Sequence, residues 1–576
     1  MSQPGPRVCL LVALFYGALA VVLLAPSLAV GDFVGHPDSD LWKHVWGHWW
    51  VGTSLHQQLA WPLETRLQGF PWGGTLFVID PFNALVCGAM QGLLPAPLAF
   101  NLLVVGQLTL GAWAAWRLAC EVTDNPAASL VSGAIYGFSP WAVAYAVGSG
   151  VSETLGLGWI PLAMLLTLRS LPAGATRSAL WAGVALLIAG LNSWYYLLFA
   201  MVGCALLVVA SLLWGRPGSW LPLPGRGWLG RLLLAVLLAV VGLLPLAAQF
   251  TASFDPSTSL EPAVEERMLF TTGLDRQMDF FTVSDFFVPG KDRLRVSEVL
   301  EWLAQTPYLG LTGLALALVG ICRSGRSAAP WTAGAILFFL LSLGPAVTFT
   351  PSLCSSQPVN AVYLLCFYLF GFWLITAPFR VHVLTLLCVA VLAAIGLASL
   401  RATRLGGVLA TALVVAEVCW LSPAPFPVPS ASAEIPGVVR ALRLDARVGV
   451  LDIPAVRYET RLAPGKYFYN QTWHHAGIPY TTAGIVNGAF KDNGFFLEMW
   501  RLAAGIFPPA ADPMAAGRGL DDLSRLGYRH VLLHTDALSP ATAGYARRVL
   551  ERWLGPPTSA SPGILHYRLE PLPEAE

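Results

Sequence analysis

The chain has 576 residues, of which 56% are hydrophobic and only 12% charged, and its mean hydropathy is +0.62. About a quarter of the residues in an ordinary soluble domain are charged, so a soluble class is excluded. The net charge of +1, from 34 basic and 33 acidic residues, gives no global field to draw in nucleic acid or acidic partners.

A membrane-spanning helix needs about 20 apolar residues. Runs of that kind predict helices near 8–30, 97–118, 127–147, 150–170, 178–192, 193–214, 229–249, 305–322, 330–349, 380–400 and 405–421. The expectation is therefore an α-helical polytopic membrane protein of about eleven spans, its first helix a retained signal anchor. The pair 178–214 is the hardest to divide, its only break being Asn192-Ser193-Trp194, and one long tilted helix is the alternative. Pro81–Leu94 is too short to span, and Ala361–Ala377 is expected to re-enter or lie in the interface.

Arginine sets the orientation. With Arg7 inside, Arg117, Arg169, Arg177, Arg216, Arg226, Arg231, Arg323, Arg326, Arg401 and Arg404 all fall at the cytoplasmic face. The N-terminus is then cytoplasmic in a cell (plasma or inner) membrane. Three segments face outward: the external loops 31–96 and 250–305 of the membrane domain 1–421, and the tail. A Pro/Ser/Ala linker, 422–433, precedes an extracytoplasmic α/β domain, 434–576. Its expected strands are Val448–Ile453, Arg529–His534 and Ile564–Leu569, and its helices Pro436–Leu444, Asp521–Leu526 and Ala541–Leu554. No cysteine follows Cys419, so that domain contains no disulfide.

The most informative stretch is Gly35 to Trp50. Asp38 and Ser39 can cap a helix beginning near Asp40, on which Asp40, His44 and His48 step by four along one face. Trp42, Trp46, Trp49 and Trp50 cover much of the remaining surface, as expected of a helix at the lipid headgroup level. Anchoring alone is one reading; the other is a reactive or binding site, because two acids and three histidines exceed what anchoring needs. Carboxylate and imidazole ligands on the Asp40, His44 and His48 face could hold a divalent metal, Mg or Mn.

Several stretches carry a family resemblance. They are Phe70 to Thr75 with Asp80-Pro81-Phe82-Asn83; Gly137-Phe138-Ser139-Pro140 with Gly148 to Glu153 and Trp159-Ile160-Pro161-Leu162; Val283 to Pro289; Ala377-Pro378-Phe379-Arg380; and Leu526 to His534. With the acid-bearing first loop and external tail, they make the chain resemble the GT-C superfamily of polyprenyl-phosphate-sugar-dependent glycosyltransferases, and more closely bacterial YfhO-like proteins. The resemblance implies a sugar donor on polyprenyl phosphate, an extracytoplasmic glycan, lipid or protein acceptor, and a first-loop acid as base: Asp40 first and Asp38 second. Arg380 could meet the leaving phosphate, or snorkel to headgroups. Glu153 could line a cavity or complement a helix dipole. Asp80 reads as a turn residue or a substrate ligand, and Asp285 as a solvated turn or a cover of the site. His44 is a further substrate-binding candidate. Glu417, deep in the last helix, is expected to pair with a neighbouring helix. A transporter or flippase of lipid-linked sugars and an inactive GT-C-like scaffold are the rival readings, and no P-loop, dinucleotide fingerprint, HExxH or GxSxG motif is present.

Overall fold

The computed structural model describes residues 4–28, 31–60, 62–75, 80–216, 219–253, 281–289, 307–345, 347, 349, 358–369, 378–401, 403–422, 424, 426–454, 465–481, 492–503 and 513–570. They divide into two compact units. The first comprises Met1–His36, Ile79–Asn83 and Pro97–Ala431, and the second Pro37–Val78, Ala84–Ala96 and Ser432–Glu576. Most of the expected loop 31–96 thus folds in the same unit as the tail.

The first unit is helical. Among the described residues six helical segments are long and apolar enough to cross a membrane: Pro6–Leu28, Ala96–Thr123, Pro126–Gly148, Trp194–Trp214, Trp228–Gln249 and Phe379–Ser399. Together with the composition they mark a membrane protein. Pro6–Leu28 and Trp228–Ser253 leave runs of leucine and valine exposed, including Leu10, Leu11, Leu14, Leu233, Leu237 and Val241, as lipid-facing helices do. His382–Ser399 is buried along almost its whole length and packs on Leu311–Ser342, where Gly320 and Gly396 let the two backbones approach.

Several boundaries differ from the sequence expectation, each for a local reason. Thr176–Asn192 and Trp194–Trp214 are two helices, divided where Ser193 turns extended (φ −161°, ψ 132°). The runs 305–322 and 330–349 form Leu311–Ser342, bent at Gly325, whose φ of +39° suits only glycine. The expected helix 127–147 breaks after Gly137 at Ser139-Pro140, because proline offers no N–H to the ladder; Trp141–Gly148 continues as a π-helix. The expected helix 150–170 begins only at Trp159, and Ser152–Thr154 and Gly156–Gly158 are 3-10 turns. Pro81–Gln91 is a short helix, 11 residues long. Of Ala361–Ala377, a helix covers Ala361–Leu369 and 370–377 lie outside the described residues, as does most of the loop 250–305.

The second unit is α/β. Among the described residues its main sheet has four strands, in the spatial order Gly449–Ile453, Tyr528–His534, Ile564–Arg568 and Ser559–Ser561, the first pair parallel and the others antiparallel, and Glu64–Thr65 pairs with Gly74–Thr75 in a separate ribbon. The helix Leu41–His56 packs in this unit against Gly465–His474. Trp42 stacks on Tyr469 at 5.2 Å, Trp46 meets Phe468 edge-on at 6.4 Å, and the Trp50 indole N–H donates to Pro62 O at 2.9 Å. The expectation of a headgroup-level helix is therefore corrected: Trp42, Trp46 and Trp50 are core residues, because a partner helix rich in aromatics removes them from solvent. Asn470, in the sequon Asn470-Gln471-Thr472, is buried on that partner helix.

Candidate functional site

The strongest arrangement of polar groups lies in the helical unit, where chain that is not α-helical is buried. Backbone without its own helical ladder survives inside an apolar bundle only where other groups satisfy it or where it lines a cavity. Between Gly148 and Gly158 they do. The Tyr196 hydroxyl donates to Thr154 O at 2.7 Å and Tyr136 to Leu157 O at 3.0 Å, while the Asn83 amide donates to Ser152 O at 2.8 Å. The Ser152 hydroxyl donates to Asp80 Oδ2 at 2.5 Å, and Gln107 supports Asn83 at 2.7 Å. Gly156 lies so close to Asn192 that an added Cβ would sit 2.8 Å from the Asn192 Cβ.

This brace fixes Glu153, the residue after Ser152, against Arg380. Arg380 Nη1 donates to Glu153 Oε1 at 2.6 Å and its Nε to the Tyr145 hydroxyl at 2.8 Å. The guanidinium carbon lies 4.9 Å from the Tyr195 ring centroid and 5.6 Å from that of Tyr145. Three of the four come from irregular elements, Tyr145 from the π-helix, Glu153 from a 3-10 turn and Arg380 from the 3-10 turn Pro378–Val381, and Tyr195 lies in the first turn of the α-helix after the break at Ser193. The side chains of Arg380 and Glu153 keep 14% and 16% exposure, so the pair is largely desolvated yet reachable. Among the described residues no acceptor takes Nη2. A fixed guanidinium with an unused edge is an anion site in waiting.

Of the residues singled out in the sequence, Arg380, Glu153 and Asp80 are thereby linked through Ser152. Glu153 lies in a 3-10 turn ahead of the α-helix that begins at Trp159, and its carboxylate is engaged by Arg380. Asp80 is 2% exposed, a buried brace. Asp285 closes a capping box with Thr282, its carboxylate accepting the Thr282 N–H at 2.8 Å. Glu417 accepts from the Tyr308 hydroxyl at 2.7 Å and from the amides of Leu311 and Thr312, capping a neighbouring helix.

Asp38, Asp40, His44 and His48 belong to the second unit. Asp40 is the N-cap position of Leu41–His56; its side chain, 50% exposed, pairs with Lys43 Nζ at 2.8 Å, and Ser39 Oγ accepts the Leu41 N–H at 3.3 Å. His44 and His48 are buried rather than displayed as a polar stripe. Among the described residues no three His, Cys, Asp or Glu side chains gather as a metal would need, these included.

Sequence reasoning missed Tyr145, Tyr195 and Gln107, and quoted Asn83 and Ser152 within longer stretches without giving either a role. The signal available was indirect: the Gly148-Ser149-Gly150 and Asn192-Ser193 interruptions inside apolar runs.

No family model and no curated protein matches the chain. Solved structures do. An arabinofuranosyltransferase AftD from Mycobacteria aligns with a TM-score of 0.53 at 15% identity over 99% of this chain, which spans 42% of that structure's length. An archaeal oligosaccharyltransferase AglB from Archaeoglobus fulgidus, solved with an inhibitory peptide and a dolichol-phosphate, gives 0.42 at 11% identity, covering 92% of this chain and 69% of its own. ArnT from Cupriavidus metallidurans gives 0.39 at 14% identity, covering 97% of each. The first shows a shared fold; the other two are weaker likenesses.

Proposed function

We propose that the chain is a membrane glycosyltransferase of GT-C type. It moves a sugar from a polyprenyl-phosphate donor to an extracytoplasmic glycan, lipid or protein acceptor. The observation that carries this reading is Arg380: a largely buried cation, braced by Glu153 and Tyr145, with Nη2 unused among the described residues. In the proposed reaction an acceptor hydroxyl oxygen attacks the anomeric carbon, its proton passes to a carboxylate, and the bond from that carbon to the phosphate oxygen breaks with inversion. Arg380 takes the charge that develops on the leaving phosphate. Asp40, with Asp38 second, is the proposed base, and its exposed carboxylate suits that role. The N-terminus is proposed to be cytoplasmic and the α/β unit external, there to bind the acceptor. The likeness to YfhO-like proteins rests on the sequence stretches alone.

Binding of bare polyprenyl phosphate to the full chain in nanodiscs, read by native mass spectrometry, tests the Arg380 role. Wild type is expected to bind and Arg380→Gln to lose at least ten-fold; equal binding would remove Arg380 from the phosphate site. A flippase of lipid-linked sugars also uses broken helices, such as the passage Pro126–Ser170, and that rival gains if the lipid binds but no sugar is ever transferred.

A further inference from the structure

Two residues after Arg380, at the start of the buried helix His382–Ser399, sits the imidazole of His382. His382 is 0% exposed, and among the described residues neither ring nitrogen has a hydrogen-bond partner. Its ring is walled by Trp141 at 5.8 Å, Phe281 at 6.0 Å and Phe286 at 5.1 Å, all in edge-on contact. Among the described residues the hydroxyl of Thr385, one helical turn beyond His382, is also buried and without a partner. Leaving a buried donor or acceptor unmet carries a desolvation penalty that an apolar side chain of the same shape avoids, so a cluster of such atoms calls for an occupant. Trp141 stacks on Tyr145 at 4.2 Å, and Tyr145 holds Arg380, so the cluster shares a wall with the cation site.

We propose that His382 and Thr385, walled by Trp141, form a neutral recess that recognises hydroxyl groups on the sugar of the donor, beside the cation site that takes its phosphate. The chemistry of the atoms selects that ligand. An imidazole and a hydroxyl offer donors and acceptors without charge, and a sugar hydroxyl both donates and accepts. The aromatic walls suit the apolar face of a pyranose or furanose ring. The phosphate belongs instead to Arg380, the permanent cation next door. Entry is from the Arg380 end, where that side chain and Glu153 keep their exposure, with the walls parting to admit the ring. The inference rests on the donor proposed above.

The test compares bare polyprenyl phosphate with polyprenyl phosphates bearing glucose, mannose or arabinofuranose, each titrated against the full chain in nanodiscs. Wild type is expected to prefer at least one glycosylated lipid over the bare one. His382→Phe, which keeps a planar ring but no polar atom, is expected to lose at least ten-fold in affinity for that lipid while binding bare polyprenyl phosphate as wild type does. Thr385→Val gives the same selective loss, smaller in size, and carries the test if His382→Phe does not fold; His382→Gln recovers part of the preference. Equal binding of bare and glycosylated lipids by wild type, or an unchanged preference in the variants, would overturn the recess while leaving the phosphate site standing. Failure of wild type to bind any lipid phosphate would sink the donor reading itself, and the recess with it.

Discussion

Glu153→Gln separates the two jobs that the Glu153 carboxylate does. In the ligand-free protein it neutralises Arg380 across 2.6 Å with both side chains mostly buried. Removing one partner of a fully buried ion pair costs about 3–5 kcal/mol. Glutamine keeps an oxygen that accepts a neutral hydrogen bond, worth about 1 kcal/mol, and the residual exposure lowers the penalty further, so a loss of about 2 kcal/mol is expected. The same carboxylate opposes an incoming phosphate: two like charges about 4 Å apart repel by about 4 kcal/mol at an effective dielectric constant of 20. Glu153→Gln is therefore expected to unfold at a lower temperature when empty yet to bind polyprenyl phosphate at least ten-fold more tightly, and a saturating ligand then restores much of the lost stability. Thermal unfolding in nanodiscs with and without the lipid, paired with a binding titration, reads both. A variant that is destabilised and also binds no better would refute the competition, leaving the pair as architecture alone.

Three further outcomes follow from named contacts. Asp80→Ala removes the acceptor for Ser152 and Asn83 inside the bundle and is expected to cost about 2 kcal/mol, Asp80→Asn less because one oxygen remains; thermal unfolding of the two variants beside wild type checks the order. Gly156→Ala drives a methyl into Asn192 and is expected to cost about 1–3 kcal/mol and to loosen the turn that aims Glu153, seen as a lower melting temperature together with weaker lipid-phosphate binding; a neutral variant would contradict the tight approach. In the α/β unit, burial holds His474 down at about 4, against a partial pull upward from Asp452. The imidazole is neutral when folded, so the unfolded chain binds the extra proton. Its stabilisation is complete above pH 6.5 and drains away as pH falls toward 4, by about 3 kcal/mol in all. Hydrogen-exchange protection of residues 465–474 across that range is expected to fall in wild type and to change far less in His474→Gln.

The long helices were legible because bilayer-length apolar runs need no tertiary partner to announce themselves, as in Pro6–Leu28 and Trp228–Gln249. The passage from Phe138 to Gly158 was not, since the π-helix Trp141–Gly148 is as apolar as the α-helix before it and nothing in its composition reports a change of hydrogen-bond register. Proline at 140 and the glycines at 148 and 150 mark an interruption without saying what replaces the helix. The spacing of the tryptophans on Leu41–His56 correctly gave a helix, yet their burial depends on Tyr469 and Phe468, more than 400 residues away in the chain. Arg380 and Glu153 each stood out as charges among apolar neighbours. What joined them was a set of long-range hydrogen bonds, donated by Asn83 and Ser152 and accepted by the Tyr145 hydroxyl, whose residue types are unremarkable where they stand.

The central claim is that sugar leaves a lipid phosphate on this protein. Its most direct test is transfer from radiolabelled polyprenyl-phosphate sugars to membrane or envelope acceptors, with purified wild type set against Asp40→Asn and Arg380→Gln at matched expression. The account predicts transfer by wild type, collapse in Asp40→Asn despite normal donor binding, and collapse in Arg380→Gln with donor binding lost. No transfer by wild type from any donor in the panel, or full activity in both variants, would contradict it.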